Sequence, residues 1–223
     1  MTYSKVSVLV PTRGRVARLR AMCDSFNKTA SGCSELVFRV DDDDTSSWNF
    51  LRLAPWTVKI GPRLDGYRSL PHFFNELRLA ADGDVLMTGN DDMVFRTRGW
   101  DAMMLEEANR YPDGLFDLGV ETHNARNFPF AVISRWATDA MGFVHDARLF
   151  WGDVFLRDVM QAFDRSVPLV GVRVDHDWAG HAPDETFRDA HQEEPRWWDD
   201  TYWGMHRKCV GEAVEKLRKA KAA

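Results

Sequence analysis

The sequence predicts an α/β fold with a mainly parallel central sheet flanked by helices. Short apolar runs alternate with segments whose apolar residues recur at helical spacing, a pattern typical of parallel strands joined by helices. The runs are almost continuously apolar, as expected of strands buried on both faces. Polar residues directly follow three of the runs, and parallel sheets bind ligands beyond the carboxyl ends of their strands.

The elements of the first half follow from this alternation. The run Val6–Val10 predicts a strand that ends in a Pro-Thr turn, and the apolar residues after it recur at helical spacing. The predicted strands are 6–10, 36–40, 57–60 and 85–87, and the predicted helices are 16–26 and 70–81.

The second half is less regular, but it shows no repeat, low-complexity linker or domain boundary. Residues 1–223 are therefore expected to form a single domain. The predicted helices are 99–110, 136–141, 153–163 and a basic helix or frayed end over 212–223. The predicted strands are 130–133 and 169–174.

The composition excludes several classes of protein. The chain has 223 residues with 29 basic and 34 acidic side chains, a net charge of −5, and 44% of its residues are hydrophobic, as in globular domains. No apolar run approaches the ~20 residues of a membrane helix, and no signal-peptide pattern is present. The three cysteines form no CxxC pair, so neither a disulfide framework nor a zinc site is indicated. A cytoplasmic location is expected, and the acidity argues against non-specific nucleic-acid binding.

The acidic residues are mostly aspartates, 24 Asp against 10 Glu. Asn90, Asp91 and Asp92 directly follow a predicted strand. Two adjacent carboxylates there suit Mn²⁺ or Mg²⁺ bound to a diphosphate, since these ions take oxygen ligands from few protein groups. The alternative is that the two aspartates only cap the following segment.

Asp41 to Asp44 follow the second predicted strand as four adjacent carboxylates, whose mutual repulsion requires compensation. Arg13, Arg15 and Arg63 are candidates to pair with them or with a diphosphate. An aspartate that directly follows a strand can accept a hydrogen bond from a nucleobase N–H. The alternative, a solvated turn with capping aspartates, is favoured for Asp44.

Two further residues are candidates for chemistry. His176 follows a late strand between two aspartates, where a neutral imidazole would complete a metal site; His181 competes for this role, and the alternative is a surface histidine. Asp153 lies among aromatic and aliphatic residues. Desolvation there would raise its pKa and make it a better general base, although it is also placed to cap a helix.

In order along the chain, these motifs resemble the family 2 glycosyltransferases, which have the Rossmann-like GT-A nucleotide-sugar transferase fold. Val6-Ser-Val-Leu-Val-Pro-Thr-Arg13 is similar to that family's first strand and turn. Val40-Asp41-Asp42 is similar to the end of its second strand, and Leu86-Met-Thr-Gly-Asn-Asp-Asp92 to its Asp-x-Asp region. Leu149-Phe-Trp-Gly-Asp153 is similar to the segment with its base, and His176 to its metal-binding histidine.

The resemblance implies an inverting, metal-dependent transfer of sugar from a nucleoside-diphosphate sugar to an acceptor hydroxyl. It places Thr12, Asp41, Asp42 and Asp43 at the nucleoside, with Asp91 on the ribose. The remaining implied roles are donor binding by Arg13, Arg63 and Asn90, metal binding by Asp92 and His176, and base catalysis by Asp153. About 1–98 would form the nucleotide-sugar-binding half, about 99–190 the acceptor and catalytic half, and 191–223 a C-terminal extension.

This sequence departs from the family pattern in two motifs. If Asp92 is the last residue of the Asp-x-Asp motif, Asn90 takes the place of its first aspartate. The family's usual Asp-Asp-Gly-Ser turn is replaced by four aspartates. The Gln-x-x-Arg-Trp motif and the membrane helices of processive polysaccharide synthases are absent from the sequence. Their absence implies a soluble enzyme that adds one or a few sugars.

Two other functions remain open. A nucleotidyltransferase that makes nucleotide sugars would normally have a Gly-rich loop with a lysine after the first strand, and residues 11–15 contain one Gly and no Lys. A non-catalytic sugar- or nucleotide-binding module would not need Asp153 and His176 beside a donor site. The acceptor is not determined: a glycan, a small molecule, a protein and a modified nucleic-acid base are all compatible. The aromatic segment 196–203 is a candidate acceptor surface, and 180–187 a candidate lid.

Overall fold

A computed structural model describes residues 1–64, 66–123, 129–149, 152–176 and 200–223. The described residues form one mixed eight-stranded sheet with helices on both faces. The strands are β1 (Val6–Thr12), β2 (Ser34–Asp41), β3 (Thr57–Gly61), β4 (Val85–Thr88), β5 (Met93–Phe95), β6 (Asp117–Glu121), β7 (Val132–Ser134) and β8 (Ser166–His176). The helices are α1 (Val16–Thr29), α2 (Thr45–Leu51), α3 (Leu70–Ala80), α4 (Trp100–Ala108), α5 (Arg135–Met141), α6 (Gly152–Gln161) and α7 (Asp200–Ala222).

The strand order is β3-β2-β1-β4-β7-β6-β8-β5. The first four strands in this order are mutually parallel, β7 is antiparallel to both of its neighbours, and β8 is parallel to β6. β5 then pairs antiparallel with β8 at the edge. The prediction of a mainly parallel α/β sheet is therefore confirmed, with β7 and β5 as its reversed strands.

Residues of β1 alternate between two cores. Val6, Val8 and Val10 join the core on one face, with residues of α1, α2 and α4. Leu9 joins the core on the other face, with residues of α3, α5, α6 and α7. Burial on both faces explains why these strands are apolar without strict alternation.

The structure contains elements that the sequence patterns did not predict. These are α2, β5, β6 and the first part of α7, which begins at Asp200 rather than near 212. Within the described residues, no helix is long and apolar enough to cross a membrane.

Candidate active site

The ends of three neighbouring parallel strands meet at one edge of the sheet. β1 lies between β2 and β4, so the residues that follow these strands come together, as the sequence predicted. Thr12, the last residue of β1, donates a hydrogen bond through Oγ1 to Asp91 Oδ2 at 2.9 Å. The loop after β4 is thus attached directly to the end of β1.

Arginines compensate the charge of the aspartate run. The Asp41 carboxylate lies between two guanidinium groups, with Arg39 Nη1 3.0 Å from Oδ1 and Arg13 Nη1 2.9 Å from Oδ2. Arg13 also binds both oxygens of Asp43, and this contact holds the pKa of Asp43 below its ordinary value. Arg63 is about half exposed and lies 3.9 Å from Asp43, so it stands at the margin of the cluster.

The other two aspartates of the run have different environments. Asp44 caps α2 by accepting a hydrogen bond from Ser47 N at 3.2 Å, as expected of a capping aspartate. Asp44 also accepts from Gly14 N at 2.8 Å, which joins the loops after β1 and β2. Asp42 is exposed, and its backbone N–H donates to Gly61 O at 2.8 Å. Among the described residues, Asp42 is the member of the run whose carboxylate has no hydrogen-bond or ion-pair partner.

Asp91, in the loop after β4, is buried beside the end of β1. Its Oδ1 lies 3.1 Å from Arg15 Nη1. Burial raises the pKa of Asp91 to about 6, with a smaller contribution from the negative charge of Asp92, although Arg15 and Thr12 oppose the rise. A carboxylate in this setting favours a partner that offers hydrogen-bond donors or positive charge.

Asp92 and His176 face each other across the pairing of β5 with β8. Asp92 directly precedes β5, and the register pairs Met93 with His176. This short strand therefore brings together two residues that are 84 positions apart in the sequence. His176 Nε2 lies 3.1 Å from Asp92 Oδ1, and Arg18 Nη1 lies 4.0 Å from Asp92 Oδ2.

These two residues fit a divalent cation. Asp92 Oδ1 is buried and has no hydrogen-bond donor among the described residues. A neutral His176 with its proton on Nδ1 would direct its Nε2 lone pair toward that oxygen. Two lone pairs at this distance repel unless a cation lies between them. No group of three or more His, Cys, Asp or Glu with metal-site geometry occurs in the described ranges. Bound phosphate oxygens and water commonly complete the ligand set of Mg²⁺.

Asp153 lies in the first turn of α6 and is partly buried. Burial raises its pKa, and the opposing effects come from the Val154 backbone N–H, the Arg157 guanidinium and His176. The influence of His176 indicates that Asp153 lies near the Asp92–His176 pair. The structure thus agrees with the prediction of a desolvated carboxylate at a helix start.

Asp117, the first residue of β6, is a second buried carboxyl group near Asp153. Its Oδ1 accepts a hydrogen bond from Val132 N at 3.2 Å. Burial raises the pKa of Asp117 to about 7, and the charge of Asp153 adds to the rise. The sequence did not identify Asp117, because β6 itself was not predicted.

The start of α6 is packed against His145, which is buried. A Cβ atom on Gly152 would lie 2.5 Å from the imidazole Cε1 and Nδ1, so only glycine leaves room for the ring. Asn75 holds the His145 backbone from α3, donating to His145 O at 2.9 Å and accepting from Val144 N at 2.8 Å. Burial lowers the pKa of His145 to about 4, so it is neutral at physiological pH. These contacts fix the residue that precedes Asp153.

Three sequence predictions lie outside the described residues. They are His181 as the alternative metal ligand, the candidate lid 180–187, and the first half, 196–199, of the aromatic segment 196–203. Residues that the sequence did not single out include Arg18 and Arg39. The signal for Arg39 was a charged residue inside the apolar run 36–40.

No protein-family model and no curated protein matches the sequence. Solved structures do match. A mannosyltransferase from Pyrobaculum calidifontis, in complex with GDP-Man and Mn²⁺, aligns with a TM-score of 0.63 and 13% identity over 100% of this chain and 76% of its own.

Two further structures align over nearly the whole chain. GalNAc-T7 with UDP, GalNAc and Mn²⁺ aligns with a TM-score of 0.61 and 13% identity, over 97% of this chain and 55% of its own. Residues 1–349 of S. aureus TarS in complex with UDP-GlcNAc align with a TM-score of 0.55 and 11% identity, over 95% of this chain and 72% of that one. At these identities the alignments show the fold alone. The chain therefore has the GT-A fold of these glycosyltransferases.

Proposed function

We propose that this chain is a metal-dependent inverting glycosyltransferase that moves a sugar from a nucleoside-diphosphate sugar to an acceptor hydroxyl. The observation that carries the proposal is the pairing of Asp92 with His176, which directs a buried carboxylate oxygen toward an imidazole nitrogen 3.1 Å away. This pair lies beside Asp91 and within electrostatic influence of Asp153. The two Mn²⁺-containing structures described above each also contain a nucleotide.

The donor nucleotide would be held by groups at the ends of β1, β2 and β4. Asp42 is our candidate for the nucleobase, because its carboxylate is exposed while Asp41 and Asp43 bind Arg13. Asp91, oriented by Thr12, would accept a hydrogen bond from the ribose. Arg15 and Arg18, which face Asp91 and Asp92, would add positive charge near the diphosphate.

Asp92 and His176 would hold Mn²⁺ or Mg²⁺, which when bound supplies Lewis-acid stabilisation of the leaving diphosphate. Asn90 lies beside this pair, with Nδ2 3.3 Å from His176 Nε2, and would take part in donor binding. Because Arg18 lies near the other oxygen of Asp92, it would limit the repulsion between that carboxylate and Asp91.

Asp153 would remove the proton of the acceptor hydroxyl. As the acceptor oxygen attacks C1 of the sugar, the bond from C1 to the diphosphate oxygen breaks and the nucleoside diphosphate leaves. Attack from the face opposite the leaving group inverts the anomeric centre. The raised pKa of Asp153 makes it a stronger base than an exposed aspartate.

We further propose that the two halves of the domain divide these roles. About 1–98 would bind the nucleotide sugar, about 99–190 would supply the base and the acceptor surface, and 191–223 would be a C-terminal extension. The pairing of Asp92 with His176 would join the two halves at the metal.

A donor panel tests the function. Purified protein is incubated with UDP-, GDP- and dTDP-sugars and Mn²⁺, and slow release of free sugar and nucleoside diphosphate is measured. We expect turnover of one nucleotide class, and release that stops when EDTA is added. The formation of a nucleotide sugar and pyrophosphate from a nucleoside triphosphate and a sugar phosphate would instead identify a nucleotidyltransferase. Binding without turnover, even with a panel of acceptors, would indicate a binding module.

The same assay with Asp153→Asn tests the base. Transfer should fall by about 100-fold or more, while nucleotide affinity stays unchanged. Asp24→Asn, a change at an exposed aspartate of α1, serves as the matched control. Full activity of Asp153→Asn would remove Asp153 from this role.

A further inference from the structure

Arg39 is a charged residue on a buried face of the sheet. Along β2, Val37, Arg39 and Asp41 point to the face on which α3 packs. Arg39 is 2% exposed, and its guanidinium lies over the Phe73 ring of α3, 4.6 Å from the centroid. A leucine or methionine would be the ordinary residue for such a position.

Its guanidinium group connects three segments of the chain. Nε donates to Glu76 Oε2 of α3 at 2.9 Å, and Nη2 donates to Pro62 O, just after β3, at 2.7 Å. Nη1 donates to Val40 O at 2.6 Å and to Asp41 Oδ1 at 3.0 Å, at the end of β2. A planar guanidinium group can donate four hydrogen bonds in these fixed directions, whereas an ammonium group cannot.

Gly61 leaves the space that this arrangement needs. A Cβ atom at Gly61 would lie 2.9 Å from Arg39 Nη2. Gly61 pairs with Asp41 in the sheet, and its carbonyl accepts from Asp42 N at 2.8 Å. Arg39 therefore holds the side chain of Asp41 and also the strand end to which the Asp42 backbone is bonded.

The network continues from Asp41 to the surface. Asp41 Oδ2 binds Arg13, and Arg13 binds Asp43. A buried ion pair generally contributes little more to stability than well-packed apolar side chains do, so packing alone does not account for an arginine here. What Arg39 provides is a fixed orientation for the loop of residues 41–43.

We propose that Arg39, together with Gly61, is a positioning residue for the nucleoside-binding loop, acting through Asp41. This inference depends on the proposed function, because it assigns Arg39 a role in donor binding. It predicts that loss of Arg39 weakens nucleotide binding more than it slows the chemical step.

The test measures nucleotide affinity by calorimetry with UDP and GDP in the presence of Mn²⁺. Arg39→Met should weaken binding of the preferred nucleotide by about 10-fold or more, raising KM for the donor while kcat at saturating donor stays within about 3-fold of wild type. Arg39→Lys should retain part of the affinity, since an ammonium group reaches fewer of the acceptors. Gly61→Ala should weaken binding in the same direction, with Gly211→Ala, where the added Cβ meets nothing, as its control.

A double-mutant comparison separates positioning from general destabilisation. Arg39→Met in an Asp41→Asn background should weaken binding much less than it does in wild type, because the residue it orients is already changed. Wild-type affinity in folded Arg39→Met, or in Gly61→Ala if Arg39→Met does not fold, would overturn the inference while leaving the proposed function in place. Failure of the wild-type protein to bind any nucleotide would overturn both.

Discussion

Asp41 to Asp44 are chemically identical side chains with four different environments. Asp41 lies between two arginines, Asp43 binds Arg13, and Asp44 caps a helix. Asp42 stays exposed. The arginines offset the repulsion that four adjacent carboxylates would otherwise generate, and only one carboxylate is left to meet a ligand.

This difference gives a prediction at residue level. Asp42→Asn should weaken nucleotide binding by about 10-fold, because an amide oxygen is a poorer acceptor for a nucleobase N–H. Asp44→Ala should instead lower the free energy of unfolding by about 1 kcal/mol through loss of the helix cap. Calorimetric titration and urea denaturation of both variants measure the two effects. An unchanged nucleotide affinity in Asp42→Asn would indicate that Asp41 or Asp43, and not Asp42, binds the nucleobase.

Asp117 gives a second residue-level prediction, for stability. Its pKa is raised from 3.8 to about 7 in the folded chain, so between these pH values the unfolded chain loses this proton while the folded chain keeps it. The contribution of Asp117 to stability is therefore complete below about pH 4 and is lost as pH rises to about 7.

Asp117→Asn removes this loss because an amide does not ionise. The variant should be more stable than wild type at pH 8, by up to about 4 kcal/mol at about 1.4 kcal/mol per pKa unit. The difference should shrink toward pH 4. Urea denaturation across this pH range provides the measurement, and a stability difference that does not change with pH would contradict the raised pKa.

At the scale of elements, the apolar runs 6–10, 36–40 and 85–87 predicted β1, β2 and β4, because strands buried on both faces leave a strong pattern. β5 was not predictable, since it has only three residues and depends on its pairing with β8. That pairing brings Asp92 to His176. The resemblance implied that both residues bind one metal, but the sequence patterns did not show the strand pairing that joins them.

The same limit applies to the candidate base. The apolar neighbours of Asp153 predicted its desolvation, and the structure agrees. His145 gave no signal, because its contact with Gly152 depends on how the loop before α6 folds back. Arg39 was visible as a charge in an apolar run, but its partners on α3 and after β3 depend on tertiary packing.

The packing at the start of α6 gives a prediction for this element. Gly152→Ala should displace either the helix start or the His145 ring, because the added Cβ would lie 2.5 Å from ring atoms. Transfer should fall between about 10- and 100-fold, as expected when a catalytic group is misplaced by about 1 Å, while nucleotide affinity changes little. Gly211→Ala is again the matched control. Wild-type transfer by a folded Gly152→Ala protein would show that α6 tolerates the change.

At the scale of the whole molecule, the charge distribution is more informative than the net charge of −5. The acidic groups at the site edge include Asp41, Asp43, Asp91 and Asp92, and each has an arginine within 4.0 Å. A bound divalent cation would compensate the remaining charge near Asp92 and His176. Mn²⁺ that binds the folded chain but not the unfolded chain should therefore raise the free energy of unfolding.

The most direct test of the account is the affinity for nucleotide with and without metal. Calorimetric titration of UDP and GDP into wild type should show binding of one nucleotide that is strong with Mn²⁺ and at least about 10-fold weaker with EDTA. In Asp92→Ala this dependence on Mn²⁺ should disappear, whereas Asp24→Ala should retain it. Equal affinities with and without Mn²⁺ in wild type, or full Mn²⁺ dependence in Asp92→Ala, would contradict the assignment of Asp92 and His176 as the metal-binding pair of a glycosyltransferase.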